Sequence, residues 1–168
     1  MRIGFLSPSK KEKFIERLGI TEYFYEESLQ KTAEFIAKGH ELLITADKGS
    51  VSEEMALQYM DNEGKKVIGI IPQDDKEIGI SHLNLDIFDE IINCGKWTDQ
   101  PARIINESDI LLVFGLSPGV LIEICYTKWF KVNNVYVIKE FIDEELPVVL
   151  EQELNITYIT LEELGRIQ

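Results

Sequence analysis

Short apolar runs punctuate this chain, and between them the apolar positions fall three and four apart. The run RIGFLS, Arg2 to Ser7, stops at Ser-Pro-Ser, which predicts a buried strand followed by a turn. From Thr21 to Lys38, Tyr23, Phe24, Leu29, Ala33, Phe35 and Ile36 recur near helical spacing. Thr21 is the start signal and Gly39 the stop, so a long amphipathic helix is expected there. ELLITA, Glu41 to Ala46, reads as the second strand, DKGS as a turn, and Val51 to Gly64 as the next helix. KVIGIIP, Lys66 to Pro72, is the third strand. Residues 73–86 have mixed character and make a connection longer than the usual ~4–6 residues, hence either functional or mobile.

The second half repeats the rhythm. FDEIINCG is a short strand, TDQPARIINESD a helix opened by Thr98 or Asp99, and ILLVFG, Ile110 to Gly115, another strand. A helix starts again near Ser117, NVYVIK (Asn134 to Lys139) is a strand, and ITYIT with LEELGRIQ gives a last strand and a C-terminal helix. Strands that are apolar nearly throughout must be covered on both faces, and strands alternating with helices form a parallel sheet. The expected fold is therefore α/β, a single three-layer αβα domain over residues 1–168 with a mainly parallel sheet and the first strand central. No internal repeat or low-complexity segment interrupts it.

Composition adds constraints. Hydrophobic residues at 45% and charged residues at 28% are ordinary for a soluble protein, and no apolar stretch approaches the ~20 residues of a membrane span. The N-terminal run is too short for a secretory signal, so a cytoplasmic protein without membrane association is expected. Cys94 and Cys125 lack CxxC spacing and read as buried reduced thiols, and His40 and His82 stand apart, so no metal site is expected. A net charge of −13 opposes nucleic acid, whose binding needs a basic face. It leaves room for a small anion where local donors suffice.

The turn after ILLVFG is the place to look. In an open parallel sheet ligands bind beyond the carboxyl ends of the strands, where strand order reverses. Gly115 and Gly119 remove side chains there, Ser117 is a natural N-cap, and Pro118 suits the first helical position. A helix N-terminus favours an anion, Val120 lies in that first turn, and Glu123 falls one turn below Gly119 on the same face. The plain structural account, that Ser117 caps its helix and Glu123 complements the dipole, stands beside the ligand account. The turn TADKGSVSEE contributes Lys48, Gly49 and Ser50 in the same strand, turn, helix order, or else is an ordinary capped turn. SPSK after the first strand adds Ser7 and Ser9 hydroxyls and Lys10. Arg103, inside the helix before Asp109, is either a phosphate ligand or part of a solvated face.

The series Gly115-x-x-Pro118-Gly119-x-x-x-Glu123 after SDILLVFG, with ARII upstream and KVIGIIP earlier, resembles a Rossmann-like superfamily. Its members include the LOG or lysine decarboxylase-like proteins and the molybdenum-cofactor carrier proteins. The resemblance covers roughly residues 1 to 160. It implies that Arg103 and Glu123 are the catalytic pair, since such an Arg and Glu serve the LOG enzymes in cleaving a nucleoside 5'-monophosphate at its N-glycosidic bond. Val120 stands where that family has Thr, and Ala46 and Asp47 stand where its early turn has leading glycines. The resemblance implies a phosphorylated or nucleotide-like small ligand, no further cofactor, and a homodimer.

Two classes of function follow. One is an enzyme, a phosphoribohydrolase, in which Arg103 holds phosphate and Glu123 stabilises the developing oxocarbenium ion or positions water. The other is a carrier or sensor that binds without turnover. A DNA-processing role, known in a further branch of the superfamily, is opposed by the acidity. The aromatic segment CYTKWFKV, with Tyr126, Trp129 and Phe130, suits either a dimer interface or a core helix.

Overall fold

The computed structural model describes residues 1–132 and 134–167. The chain runs β1 (Arg2–Leu6), α1 (Lys11–Leu18), α2 (Glu22–Ala37), β2 (Glu41–Ile44), α3 (Val51–Asp61), β3 (Val67–Ile71) and β4 (Glu90–Asn93). It continues with α4 (Gln100–Glu107), β5 (Ile110–Val113), α5 (Pro118–Tyr126), β6 (Val135–Ile138), α6 (Val148–Glu153) and β7 (Ile156–Ile159). The strands form one seven-stranded sheet in the order β4-β3-β2-β1-β5-β6-β7, and each adjacent pair is parallel. β1 is the middle strand, as the sequence predicts. The chain winds outward to β4, then returns past β1 to build the other half, so strand order reverses between β1 and β5.

Alternation along the strands sends side chains to two cores. Ile3, Phe5, Ile110, Leu112 and Phe114 face one layer with Phe14, Tyr25, Leu29, Met55 and the C-terminal Leu161 and Leu164. Leu43, Ile68, Leu111 and Val113 face the other with Ile104, Ile105, Val120 and Ile124 from α4 and α5. β1, β2, β3 and β5 are buried on both sides, which is why they read as unbroken apolar runs.

Several expectations need correction. The sequence pattern does not reveal α1: KEKFIERL carries only Phe14, Ile15 and Leu18 as apolar residues, and a single one, Phe14, is buried. The C-terminal helix is instead a 3-10 segment over Leu161–Arg166, opened by a capping box of Thr160 and Glu163. Gln168, the end of the expected helix, lies outside the described residues. Both cysteines are free, yet half-buried instead of buried. Burial still pushes the Cys94 thiol up to about 11, which keeps it protonated. Among the described residues no helix is long and apolar enough to cross a membrane.

Candidate ligand-binding site

Because α1 leaves β1 on one face of the sheet and α5 leaves β5 on the other, the two following turns part and leave a crevice between them. A cavity of about 660 Å³ opens there, in the range that holds a small organic ligand. Ser7, Ser9, Ser117, Pro118, Gly119, Val120 and Glu123 line it, so the sequence-predicted residues of the first and fifth strand ends do meet.

The 115–119 turn divides its work. Ser117 accepts a hydrogen bond from the Val120 N–H at 3.3 Å, and Pro118 has no N–H to offer. That leaves the Gly119 N–H, for which no acceptor stands among the described residues. A Cβ built at Gly119 would meet only Ser117 Oγ, at 3.8 Å, so the space above it is open. Gly115 is different. Its φ is +105°, and a Cβ there would lie 2.4 Å from the Phe14 ring, so its missing side chain makes room for α1.

Positive charge comes from Lys10, expected at the SPSK turn, and from α1, which the sequence pattern concealed. Lys10, Lys13 and Arg17 line the cavity, and neither lysine makes an ion pair among the described residues. Arg17 donates to the Leu116 carbonyl at 2.8 Å, tying α1 to the turn before α5. The α1 N-terminus has no side-chain cap, so a second set of N–H groups is open at the same end.

Another part of the lining is a hydrogen-bonded chain. Thr45 Oγ1 donates to the Ile70 carbonyl at 2.7 Å and accepts from Gln100 Nε2 at 3.2 Å. Gln100 Nε2 also donates to Glu123 Oε1 at 3.2 Å, so both amide protons are used and the carboxyl is held in place. Burial pushes the Glu123 carboxyl up to about 7, against the opposing pull of the Gln100 bond. Gln100 is the residue that sequence reasoning missed. It lies at the first turn of α4 beside Pro101 with no motif to mark it, and only the packing of α4 over the end of β2 gives it a role.

The second strand end is closed. Lys48 Nζ donates to the Ser81 carbonyl, Ser50 caps α3, and the Gly49 N–H donates to Glu53 Oε2 at 2.6 Å. Asn84 Nδ2 donates to the other Glu53 oxygen at 2.6 Å. Lys48, Gly49 and Ser50 thus lie outside the cavity, which only Thr45 and Asp47 of this turn reach. Arg103 also points elsewhere. Its guanidinium pairs with Glu107 at 2.9 Å and borders a separate depression with Cys94 and Phe130. Among the described residues no group of His, Cys, Asp and Glu is placed to hold a metal ion.

No family model matches the chain, and no curated protein matches it. Solved structures do. The molybdenum cofactor binding protein from the phototrophic bacterium Rippkaea orientalis superposes with a TM-score of 0.67 and 18% identity, covering 96% of this chain and 90% of that one. The molybdenum cofactor carrier protein from Chlamydomonas reinhardtii gives 0.68 and 19%, covering 96% and 91%. The structural-genomics target TM1055 gives 0.71 and 16%, covering 98% and 96%. The chain therefore has the Rossmann-like fold of the molybdenum cofactor carrier proteins, the fold that its own strand ends and glycine turns resemble.

Proposed function

We propose that the chain binds a small phosphorylated ligand, nucleotide-like or of the molybdenum-cofactor kind, in the crevice between β1 and β5. The observation that carries this reading is the polarity of one cavity. Gly119 N–H, the uncapped start of α1, Lys10 and Lys13 offer positive charge to the cavity, while Glu123, one helical turn below Gly119 and held by Gln100, stands to meet sugar or polar groups. The fold neighbours named for the molybdenum cofactor support the class of ligand. The test is a thermal-shift panel of inorganic phosphate, ribose 5-phosphate, nucleoside monophosphates and molybdopterin-like compounds. A ligand at 100 times its Kd stabilises the native state by about 2.7 kcal/mol. No shift with any member of the panel would refute the reading.

One observation favours hydrolysis as a second reading: a carboxyl raised to about 7 is poised to act near neutral pH. Glu123 would stabilise the oxocarbenium ion or position water, while a phosphate role for Arg103 would require its guanidinium to leave Glu107. Release of free base from AMP decides between enzyme and carrier. We extend the proposal to a cytoplasmic homodimer joined around the 3-10 turn Thr127–Trp129 that follows α5, where Trp129 is 73% exposed.

A further inference from the structure

Of the three lysines at the start of α1, Lys10 and Lys13 line the crevice and Lys11 does not. Lys11 lines a second depression, a groove of about 520 Å³ between α2 and α3, which pack together on the layer that holds Tyr25, Leu29 and Met55. The groove is partly apolar. Leu29, which is buried, forms its floor, while Tyr23 and Leu57 line it and are 69% and 46% exposed. Met60 follows Leu57 one helical turn along α3 and is 47% exposed. Among the described residues neither Leu57 nor Met60 packs in either core. Their apolar surface is left to something outside the fold.

Lys11 shows what else the groove takes. Its Nζ donates to Glu54 Oε1 at 3.3 Å, pairs with Glu22 at 3.2 Å and Glu26 at 4.0 Å, and lies 5.2 Å from the centre of the Tyr25 ring. One ammonium does not balance this face. α2 also carries Glu27 and Glu34, α3 also carries Asp61, and the only Lys or Arg in either helix is Lys31. Glu22 and Glu26 each give Lys11 a single oxygen, and their side chains are mostly exposed. Among the described residues their second oxygens accept no hydrogen bond, so both can take a donor from solvent.

We propose that this groove docks a basic amphipathic helix of a partner protein. Apolar residues three and four apart on that helix would lie on Leu29, Leu57 and Tyr23, with Lys or Arg at their flanks beside Glu22, Glu26 and Glu27. The eleven residues of α3 make a wall about 16 Å long, enough for about three turns of a partner helix. Charge selects the occupant. Nucleic acid and anionic lipid are repelled by these carboxylates, and a second copy offering the same face would set them against themselves. The groove does not depend on the ligand reading above, since it shares no lining residue with the crevice. α1 nevertheless joins the two, with Lys11 in the groove and Lys10 and Lys13 in the crevice. A docked partner would stand one helix away from the bound ligand.

The test titrates the full chain with a fluorescently labelled peptide of about 16 residues, leucines along one helical face and lysines at its flanks, by anisotropy at low and physiological salt. A scramble of the same composition and a version with glutamate for lysine are the controls. The amphipathic peptide is expected to bind at least about tenfold more tightly than its scramble and to gain helix in circular dichroism, and the glutamate version should not bind. Glu26→Gln with Glu27→Gln should weaken it about tenfold at low salt and less at physiological salt. Leu57→Ser with Met60→Ser should weaken it about tenfold at both. Glu144→Gln with Glu145→Gln, which changes exposed acids outside the groove, should leave it within about twofold. Thermal melts check that each variant is folded. If the scramble binds as tightly, if the peptide does not bind, or if affinity ignores both groove variants, the docking site is overturned. If Leu57→Ser with Met60→Ser instead changes the oligomeric state in light scattering, the occupant is a second copy and the partner helix is overturned.

Discussion

Glu123→Gln tests the electrostatics of the cavity wall without any ligand. The substitution keeps shape and keeps an oxygen to accept from Gln100 Nε2, but it fixes the group in a neutral form. In the native chain burial raises the Glu123 carboxyl from its ordinary 4.5 to about 7. The folded state therefore holds a proton that the unfolded chain releases, and between these two values stability falls as pH rises. Below about pH 4.5 both states are protonated and the native carboxyl costs nothing. Above about pH 8 the folded protein carries a desolvated charge, and the shift of about 2.5 units corresponds to about 3 kcal/mol. The glutamine variant escapes this penalty. Urea unfolding of parent and variant should coincide near pH 4.5 and diverge to about 3 kcal/mol in favour of the variant at pH 8.5, or roughly 6–12 °C in Tm for a chain of this size. A parent–variant difference independent of pH, or a variant less stable at pH 8.5, would refute the argument that Glu123 pays for its position in desolvation.

Other outcomes follow from the same geometry. Gly119→Phe adds a side chain into open space from a helical position, so Tm should stay within a few degrees while AMP binding is lost; unchanged affinity in a folded variant would move the site elsewhere. Lys10→Gln with Lys13→Gln should weaken AMP by about tenfold at low salt and flatten its salt dependence, as measured by calorimetry at two ionic strengths. Trp129→Asp should convert a dimer to a monomer in light scattering, and a monomeric parent at high concentration would remove the association proposal.

The fold is legible in the chain because strands buried on both faces leave runs such as Leu111 to Val113 that suit little else. The 115–119 turn and Glu123 are legible because they are local: strand end, cap, proline and an acid four positions on from Gly119 all lie in the one stretch 115–123. What stays hidden is what packing creates. Lys10 is legible in the SPSK turn, whereas Lys13 carries no mark until α1 is seen at the crevice, and Gln100 acquires its role only when α4 crosses the end of β2. Arg103 is instructive in the opposite direction. The sequence leaves it open between a phosphate ligand and a solvated face, and the structure engages it with Glu107 one helical turn on, a carboxylate only 17% exposed that Arg2 also holds.

The two glycine turns show why similar sequence grammar leads to different chemistry. Each is strand, glycine, serine cap and helix, and each helix start favours negative charge. In α3 the first turn contains Glu53 and Glu54, and Glu53 folds back so that its carboxylate takes the Gly49 N–H and is steadied by Asn84. That turn carries its own anion, and an external phosphate would have to displace it and face Asp47 as well. In α5 the first turn has no acid, and the acid of that helix lies one turn deeper, bound to Gln100 and facing the cavity side on. The Gly119 N–H is left without an internal competitor, in a cavity that Lys10 and Lys13 also line. In the proposed binding mode the negative end of a ligand would therefore meet the 117–119 turn, the helix start that the chain has left unfilled.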